Sequence, residues 1–472
     1  MDELYTTGNR ELDEFIGGLQ PYTMLLIVGH PGAGKTTLAS QICYANALKG
    51  RRCLYLSFYE DKEKLFRNMS KLGINLSEVE AKDFMEFVRL PVASTDEILR
   101  ILSTIVSRKS YEVMVIDSIN PTLDLIVKKE EQRAILLNFF YQLLNIVNGV
   151  LVVVAEIPLG KESLELGSIE FVADAIIYLK HRIEFGMLSR IMEVRKVRGA
   201  PLTIAEIPFS LNEGEGLKVY IPPKIERVLP SGQKPLNINI SFIIESIESI
   251  QYGDVVVISY PSIGRPSFIY LPLIDLAVAN NEKVLLISYK YSPDELKDVL
   301  LQSMQSLGVS RDLVLKVINK YFHLESINPA SHSLQLLRSY QIELIDETKA
   351  GIVVFHAVDV FRETVFKPGE YWASFINELN WVKNKGKLLT LYYARIDPRW
   401  TKRYESLSDI AIRLHYKRRD TKLIPVLYIW KRETLPKIIE LGEKEIERLK
   451  DDANRIAEII KARLEDDNGG IK

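Results

Sequence analysis

Nine consecutive residues, Gly29-His30-Pro31-Gly32-Ala33-Gly34-Lys35-Thr36-Thr37, are of the types needed to hold a chain of phosphates. Gly29, Gly34, Lys35 and Thr36 stand in the G-x-x-x-x-G-K-[ST] register of a phosphate loop. Glycines let backbone N–H groups curl around a triphosphate with no Cβ in the way, and a helix N-terminus behind them adds partial positive charge. Residues His30 to Thr37 would form that cradle, Lys35 would reach the terminal phosphates, and the Thr36 hydroxyl would hold Mg2+. The predicted ligand is a magnesium-bound nucleoside triphosphate.

Such a loop works only between a buried strand and a helix, and both flanks are present. The apolar run Met24–Val28 has the length and type of a buried strand, and Leu38–Leu48 is rich in helix formers with apolar residues at helical spacing. A glycine-rich turn that merely joins two elements is the plainer reading, and the complete pattern in its required place disfavours it. Ahead of the loop, Thr7–Asp13 with Ile16-Gly17-Gly18-Leu19 predicts a short capped helix ending in a glycine turn.

The elements after the loop set the fold class. Strands are expected at Cys53–Phe58, Phe84–Val88, Val113–Ser118 and Val150–Val154, with helices at 61–69, 94–107 and 130–147 between them. Continuous apolar strands alternating with helices argue for α/β, a mostly parallel, doubly wound sheet. Ligands of such sheets lie at the carboxyl ends of the strands, where the loop, Glu60 and Asp117 all fall. Ala173–Leu179 and Ser189–Val197 read as paired edge strands, Asn212–Gly216 as a turn, and the Pro-rich stretch from Ile221 to Gly232 as linker.

The second half repeats this order at an offset of roughly 230 residues, the size of one domain. Val255–Phe268 lies over the first strand and loop, Val284–Tyr289 over the second strand, and Ile352–His356 over the strand ending at Asp117. Aligned this way, Gly29 is replaced by Ser259, Gly32 by Ser262, Lys35 by Arg265, Thr36 by Pro266 and Asp117 by His356, with Tyr291 opposite Glu60. Proline offers neither an N–H for phosphate nor a hydroxyl for magnesium, so the second copy is expected to have lost the chemistry. A metal-free nucleotide pocket is the alternative for it. All four tryptophans, Trp372, Trp381, Trp400 and Trp430, fall in this half and are expected in its core. The charged tail 436–467 carries Ile446, Leu449, Ala453, Ile456 and Ile460 at spacings of three and four, an amphipathic helix expected to pack back on its own domain, with a frayed end at 466–470. The expected domains are 1–225, a linker 226–240, 241–434 and a helical tail 435–472.

Composition bounds the function. The 472 residues allow two or three domains. With 61 basic against 62 acidic residues, no bulk positive field favours nucleic acid, although a local patch stays open. Cys43 and Cys53 are too few for a disulfide framework or a cysteine zinc cluster. Neither a signal segment nor a membrane-spanning run is evident, so a reduced, cytoplasmic protein is expected.

The order Thr-Gly…Leu-Asp…Gly-Gly-Leu, the phosphate loop, Ser57-Phe58-Tyr59-Glu60, Val115-Ile116-Asp117-Ser118 and Lys196-Val197-Arg198-Gly199 resembles the KaiC-like branch of the RecA-superfamily ATPases. The resemblance covers the first ~220 residues well and extends, degenerate, over the second half. It implies two tandem RecA-like P-loop domains with ATP bound between neighbouring subunits of a ring, commonly a hexamer. It implies Asp117 as the carboxylate that holds Mg2+ through water, and Lys196 and Arg198 as charges supplied to the neighbour's γ-phosphate. The family usually has paired Glu after the second strand, the first orienting the attacking water; here those positions are Tyr59 and Glu60. A phenol with a reference pKa of ~10 is a poor base at neutral pH. Either Glu60 takes the role or hydrolysis is slow.

Three functions follow as expectations: a slowly hydrolysing regulatory or signalling ATPase acting on a protein partner; a recombination or repair ATPase, disfavoured because no DNA-binding segment is evident; and a scaffold that uses ATP only to stabilise its fold.

Overall fold

The computed structural model describes residues 4–121, 129–147, 149–157, 169–184, 187–202, 204, 206–223, 227, 234–262, 264, 266–331, 333–364 and 368–469. Arg265 and residues 224–226 and 228–233 of the linker stretch lie outside the described residues. The chain divides into two compact units, Met1–Pro222 and Pro223–Lys472.

In the first unit the buried run widens to β1 (Thr23–Gly29), followed by β2 (Cys53–Ser57), β3 (Met85–Arg89), β4 (Val113–Asp117), β5 (Val150–Glu156), β6 (Ala175–Glu184), β7 (Met187–Val197), β8 (Glu206–Asn212) and β9 (Gly216–Val219). They form one sheet in the order β3-β2-β4-β5-β1-β6-β7-β8-β9. The strands from β3 to β6 run parallel, and β6 to β9 are antiparallel. Alternate residues of each central strand feed different cores, Leu25 and Ile27 on one face and Leu26 and Val28 on the other. A strand buried on both faces has no reason to alternate apolar and polar residues, which is why these segments read as continuous apolar runs. Helix Arg10–Ile16 is capped by the Asn9 side chain and stopped by left-handed Gly17, as its sequence predicts.

Helix Lys35–Leu48 follows the loop and is buried along most of its length. Its Gln41 is a tie that composition does not reveal. The Gln41 amide donates to the carbonyls of Gly8 (2.9 Å) and Leu217 (3.1 Å), and accepts from Leu217 N (2.9 Å). Gln41→Leu strands all three backbone groups in a buried place and is expected to cost about 2–4 kcal/mol, read as a lowered melting temperature.

In the second unit, apart from the short pair β10 (Pro235–Leu236) and β11 (Ile250–Gln251), the strands are β12 (Val255–Tyr260), β13 (Val284–Ser288), β14 (Phe322–Ser326), β15 (Ile352–His356), β16 (Leu388–Ala394), β17 (Ile410–Arg419), β18 (Lys422–Lys431) and β19 (Lys437–Glu440). Their order, β14-β13-β15-β16-β12-β17-β18-β19, repeats that of the first sheet from β3 to β8. Strand pairing corrects the sequence alignment of the copies by one residue. Gly29 stands beside Glu156 and Leu179, whereas the corresponding end of β12 is Tyr260, beside Ala394. Likewise Asp174 N bonds to Met24 O, and Asp409 N to Val255 O. Tyr260 therefore replaces Gly29, Pro266 falls at Lys35 and Ser267 at Thr36. Asp117 and His356 still correspond, each paired with the last serine of its neighbouring strand.

Two other expectations are amended. Residues 235–236, placed in the linker, pair as β10, and the tail begins as edge strand β19 rather than as helix. Helix Glu443–Gly469 extends over 466–469 of the stretch expected to fray, Gly470 lying outside the described residues, and it buries Leu449, Ala453, Ile456 and Ile460 in the second unit's own core. Trp381 and Trp400 are core residues; Trp372 packs partly buried against the same core, and Trp430 is half-buried on β18 beside the Arg413 guanidinium. No helix among the described residues is long and apolar enough to cross a membrane.

A buried carboxylate gives this unit a pH signature. Asp275 is fully buried and accepts from Asn239 N (2.6 Å) and Asn239 Nδ2 (2.7 Å), and burial raises its pKa to about 6. A carboxyl whose folded pKa exceeds its unfolded value stabilises fully below the unfolded value and loses that contribution as pH rises through the folded one. Stability of this unit should fall by about 2–3 kcal/mol between pH 4 and 6.5, and Asp275→Asn should flatten that slope in pH-dependent denaturation curves.

Candidate functional site

The loop occupies the carboxyl end of β1, and its shape depends on glycine. A Cβ on Gly29 would lie 2.3 Å from the Leu179 carbonyl oxygen, a backbone atom that cannot yield. Gly32 and Gly34 have φ of +76° and +100°, the left-handed region that side chains disfavour. Ala33 N closes the turn on the His30 carbonyl at 3.2 Å, and His30 Nδ1 lies 3.3 Å from Ile157 O. Pro31 and Gly32 are exposed, Ala33 and Thr37 are buried, and helix Lys35–Leu48 begins directly behind.

Lys35 is 5% exposed, and its ammonium donates to His30 O (3.0 Å) and faces Glu156 Oε1 (3.5 Å). Burial lowers its pKa, while the charges of Glu156 and Asp117 oppose that shift. Asp117 closes β4 half-buried, and desolvation there raises its pKa. Against that pull stand the neighbouring Thr36 hydroxyl, the Tyr55 hydroxyl, which donates to Asp117 Oδ2 at 2.8 Å, and the Lys35 charge; Glu60 pushes the other way. Beside it the Ser118 hydroxyl is buried with no protein partner among the described residues.

These features fit a magnesium-bound triphosphate. The left-handed glycines leave room for phosphate oxygens, the lysine is a buried cation, and Ser118, next to Asp117, has a buried hydroxyl with no partner among the described residues. Among the described residues no group of three or more His, Cys, Asp or Glu could hold a metal alone. Mg2+ here would be held by Thr36, by Asp117 and by the phosphates, as suits an ion that keeps most of its water.

Glu60 follows β2, its backbone N–H bonded to Ser57 Oγ (3.0 Å) and its carboxylate 3.5 Å from Lys64. Tyr59 is 57% exposed. Lys196 and Arg198 do not join the loop. Lys196 pairs with Ile176, level with Leu26, about three residue rises or roughly 10 Å before the end of β1. Its ammonium donates to Glu170 O (3.2 Å), and Arg198 pairs with Asp174 Oδ1 (2.8 Å). Burial is the main cause of a lowered Lys196 pKa, helped by the Arg198 charge.

Sequence reading missed Glu156, Asn120 and Tyr55. The first two are joined, Glu156 N donating to Asn120 Oδ1 (2.7 Å) and Asn120 Nδ2 to Glu156 O (3.0 Å). The signal for Glu156 was its position just beyond an all-apolar strand, the same signal that marks Asp117.

In the second unit His356, at the position of Asp117, sits within an aromatic cluster. Hydrogen bonds link His356 Nε2 to the Tyr270 hydroxyl (3.0 Å) and Nδ1 to Ser288 Oγ (2.9 Å). Tyr291 stacks on the imidazole at 5.3 Å, and Tyr270 on Tyr392 at 5.1 Å.

Comparison with known proteins places the match on the first unit. The KaiC ATPase family matches residues 5–224, just under half of the chain. Circadian clock protein KaiC2 of Synechocystis sp. (strain PCC 6803) is 37% identical over 87 residues, covering 18% of this chain and 15% of that protein. The circadian clock oscillator proteins KaiC of Parathermosynechococcus lividus and Rippkaea orientalis are 28% and 25% identical over 209 and 211 residues. Those matches cover 41% and 44% of this chain, but only 37% and 40% of the relatives' own length. By its loop, its strand order and these matches, the first unit is similar to the KaiC-like branch of the RecA-superfamily ATPases.

Proposed function

We propose that the first unit binds Mg2+-ATP and hydrolyses it slowly, and that its nucleotide state controls a protein partner. The observation that carries this reading is the convergence of Lys35, Thr36 and Asp117 behind the glycine loop, with the next residue, Ser118, carrying a buried hydroxyl that has no partner among the described residues. Bound Mg2+ would draw charge from the β- and γ-phosphate oxygens. Lys35 binds and neutralises the terminal phosphates, and Thr36 and Asp117 hold the metal's coordination sphere. Glu60, on the loop after β2, orients the attacking water and takes its proton. Lys196 and Arg198 serve the site of a neighbouring copy in a ring, consistent with their distance from the chain's own loop. The second unit is an inactive copy used for structure or partner binding, since an aromatic cluster occupies its metal position.

Single-turnover phosphate release tests this. Glu60→Gln is expected to slow release about a hundredfold while ATP still binds, and Asp117→Asn to abolish its magnesium dependence. A wild-type protein that binds ATP but releases no phosphate would reduce the reading to a nucleotide-dependent switch.

A further inference from the structure

Glu156 holds a position that the phosphate-loop chemistry does not require. It ends β5 directly beside Gly29, and its carboxylate faces the Lys35 ammonium at 3.5 Å. Its backbone is pinned on both sides. On one side is the ladder to β1, and on the other Asn120 supplies a donor and an acceptor where pairing with β4 has already stopped at Ile116–Val153. The carboxylate is therefore aimed by the fold rather than carried on a free loop.

The two partners differ in their freedom. Lys35 is 5% exposed, whereas the Glu156 side chain is 44% exposed and can turn outward at little cost. A terminal phosphate reaching Lys35 brings negative charge up to Glu156, and like charges at such range in a half-buried site repel. The second unit lacks both members. Pro266 stands at the lysine position and Ala394 at the glutamate position, although Asp359 still holds Ala394 N at 3.1 Å as Asn120 holds Glu156. The clamp is kept where the charge pair is absent, so the carboxylate belongs with the lysine and not with the architecture of the strand end.

We propose that Glu156 is a counter-ion that competes with the terminal phosphate for Lys35, so that ATP must displace it and ADP need not. This rests on Lys35 being the phosphate-binding cation of the proposed function. Glu156 is a positioning residue in this role, setting where the ammonium rests and how strongly the site favours one nucleotide over another.

The test is calorimetric titration of full-length protein with Mg2+-ATP and Mg2+-ADP. Glu156→Gln is expected to tighten ATP about tenfold and to change ADP by less than twofold. Glu156→Ala should do the same, and Glu156→Asp, which keeps the charge, should stay near wild type. In a Lys35→Ala background the Glu156→Gln effect on ATP should vanish. Unchanged or weakened ATP binding in Glu156→Gln, with binding lost in Lys35→Ala, overturns the competition and leaves the nucleotide site standing. Wild-type affinity in Lys35→Ala overturns the site itself.

Discussion

Lys35→Ala is expected to weaken Mg2+-ATP binding at least a hundredfold while leaving the fold intact. The two halves of that statement have separate causes. A charge-assisted contact to phosphate in a half-buried site is worth about 3 kcal/mol or more, hence the lost affinity. The nucleotide-free protein gains from the same change, because burial already disfavours the Lys35 charge and the abandoned Glu156 is half exposed to water. Its melting temperature should therefore hold or rise slightly. Ligand at a hundred times its dissociation constant raises stability by about 2.7 kcal/mol. Thermal melts with and without Mg2+-ATP should thus show a clear upward shift for wild type and none for Lys35→Ala. A variant that melts early without nucleotide would show that the lysine is structural instead.

The largest stability effect is expected in the second unit, at Glu378. Glu378 and Arg338 are both buried and bonded to each other, and Arg338 also donates to Gln341 Oε1 at 3.2 Å. The guanidinium lies 4.6 Å from the Phe361 ring centre and 5.3 Å from that of Tyr371. Glu378→Ala removes the only carboxylate bonded to it among the described residues and leaves a cation in an aromatic cage. Breaking such a pair costs about 3–5 kcal/mol, or roughly 10 °C in melting temperature for a unit of this size. Replacing both residues, Arg338→Met with Glu378→Leu, should restore most of the loss, since two charges no longer need to leave water. If the double replacement is as unstable as the single, packing and not charge accounts for the effect.

Much of this could be read from residues alone, for reasons that differ by element. The phosphate loop needs only local pattern, so its position and flanking elements were legible. Strands β1, β2, β4 and β5 were legible because burial on both faces forces apolar runs. Glu156 was not, because β5 was read as ending at Val154, where the apolar residues give way. Tyr55 reads as one more apolar strand residue until its hydroxyl is seen on Asp117. The one-residue slip between the copies has the same root. With Gly29 and Lys35 gone from the second half, only hydrogen bonds between strands fix which residue stands where.

One consequence of the placement of Lys196 and Arg198 concerns how output depends on amount. Lys196 on β7 and Arg198 just beyond its end are engaged away from the loop of their own chain, so on the proposed reading a solitary molecule cannot lend them to its own γ-phosphate. If neighbours exchange these cations as proposed, turnover per molecule is not a constant. It should fall on dilution and recover on concentration, which makes the cellular abundance of the chain an input to its activity.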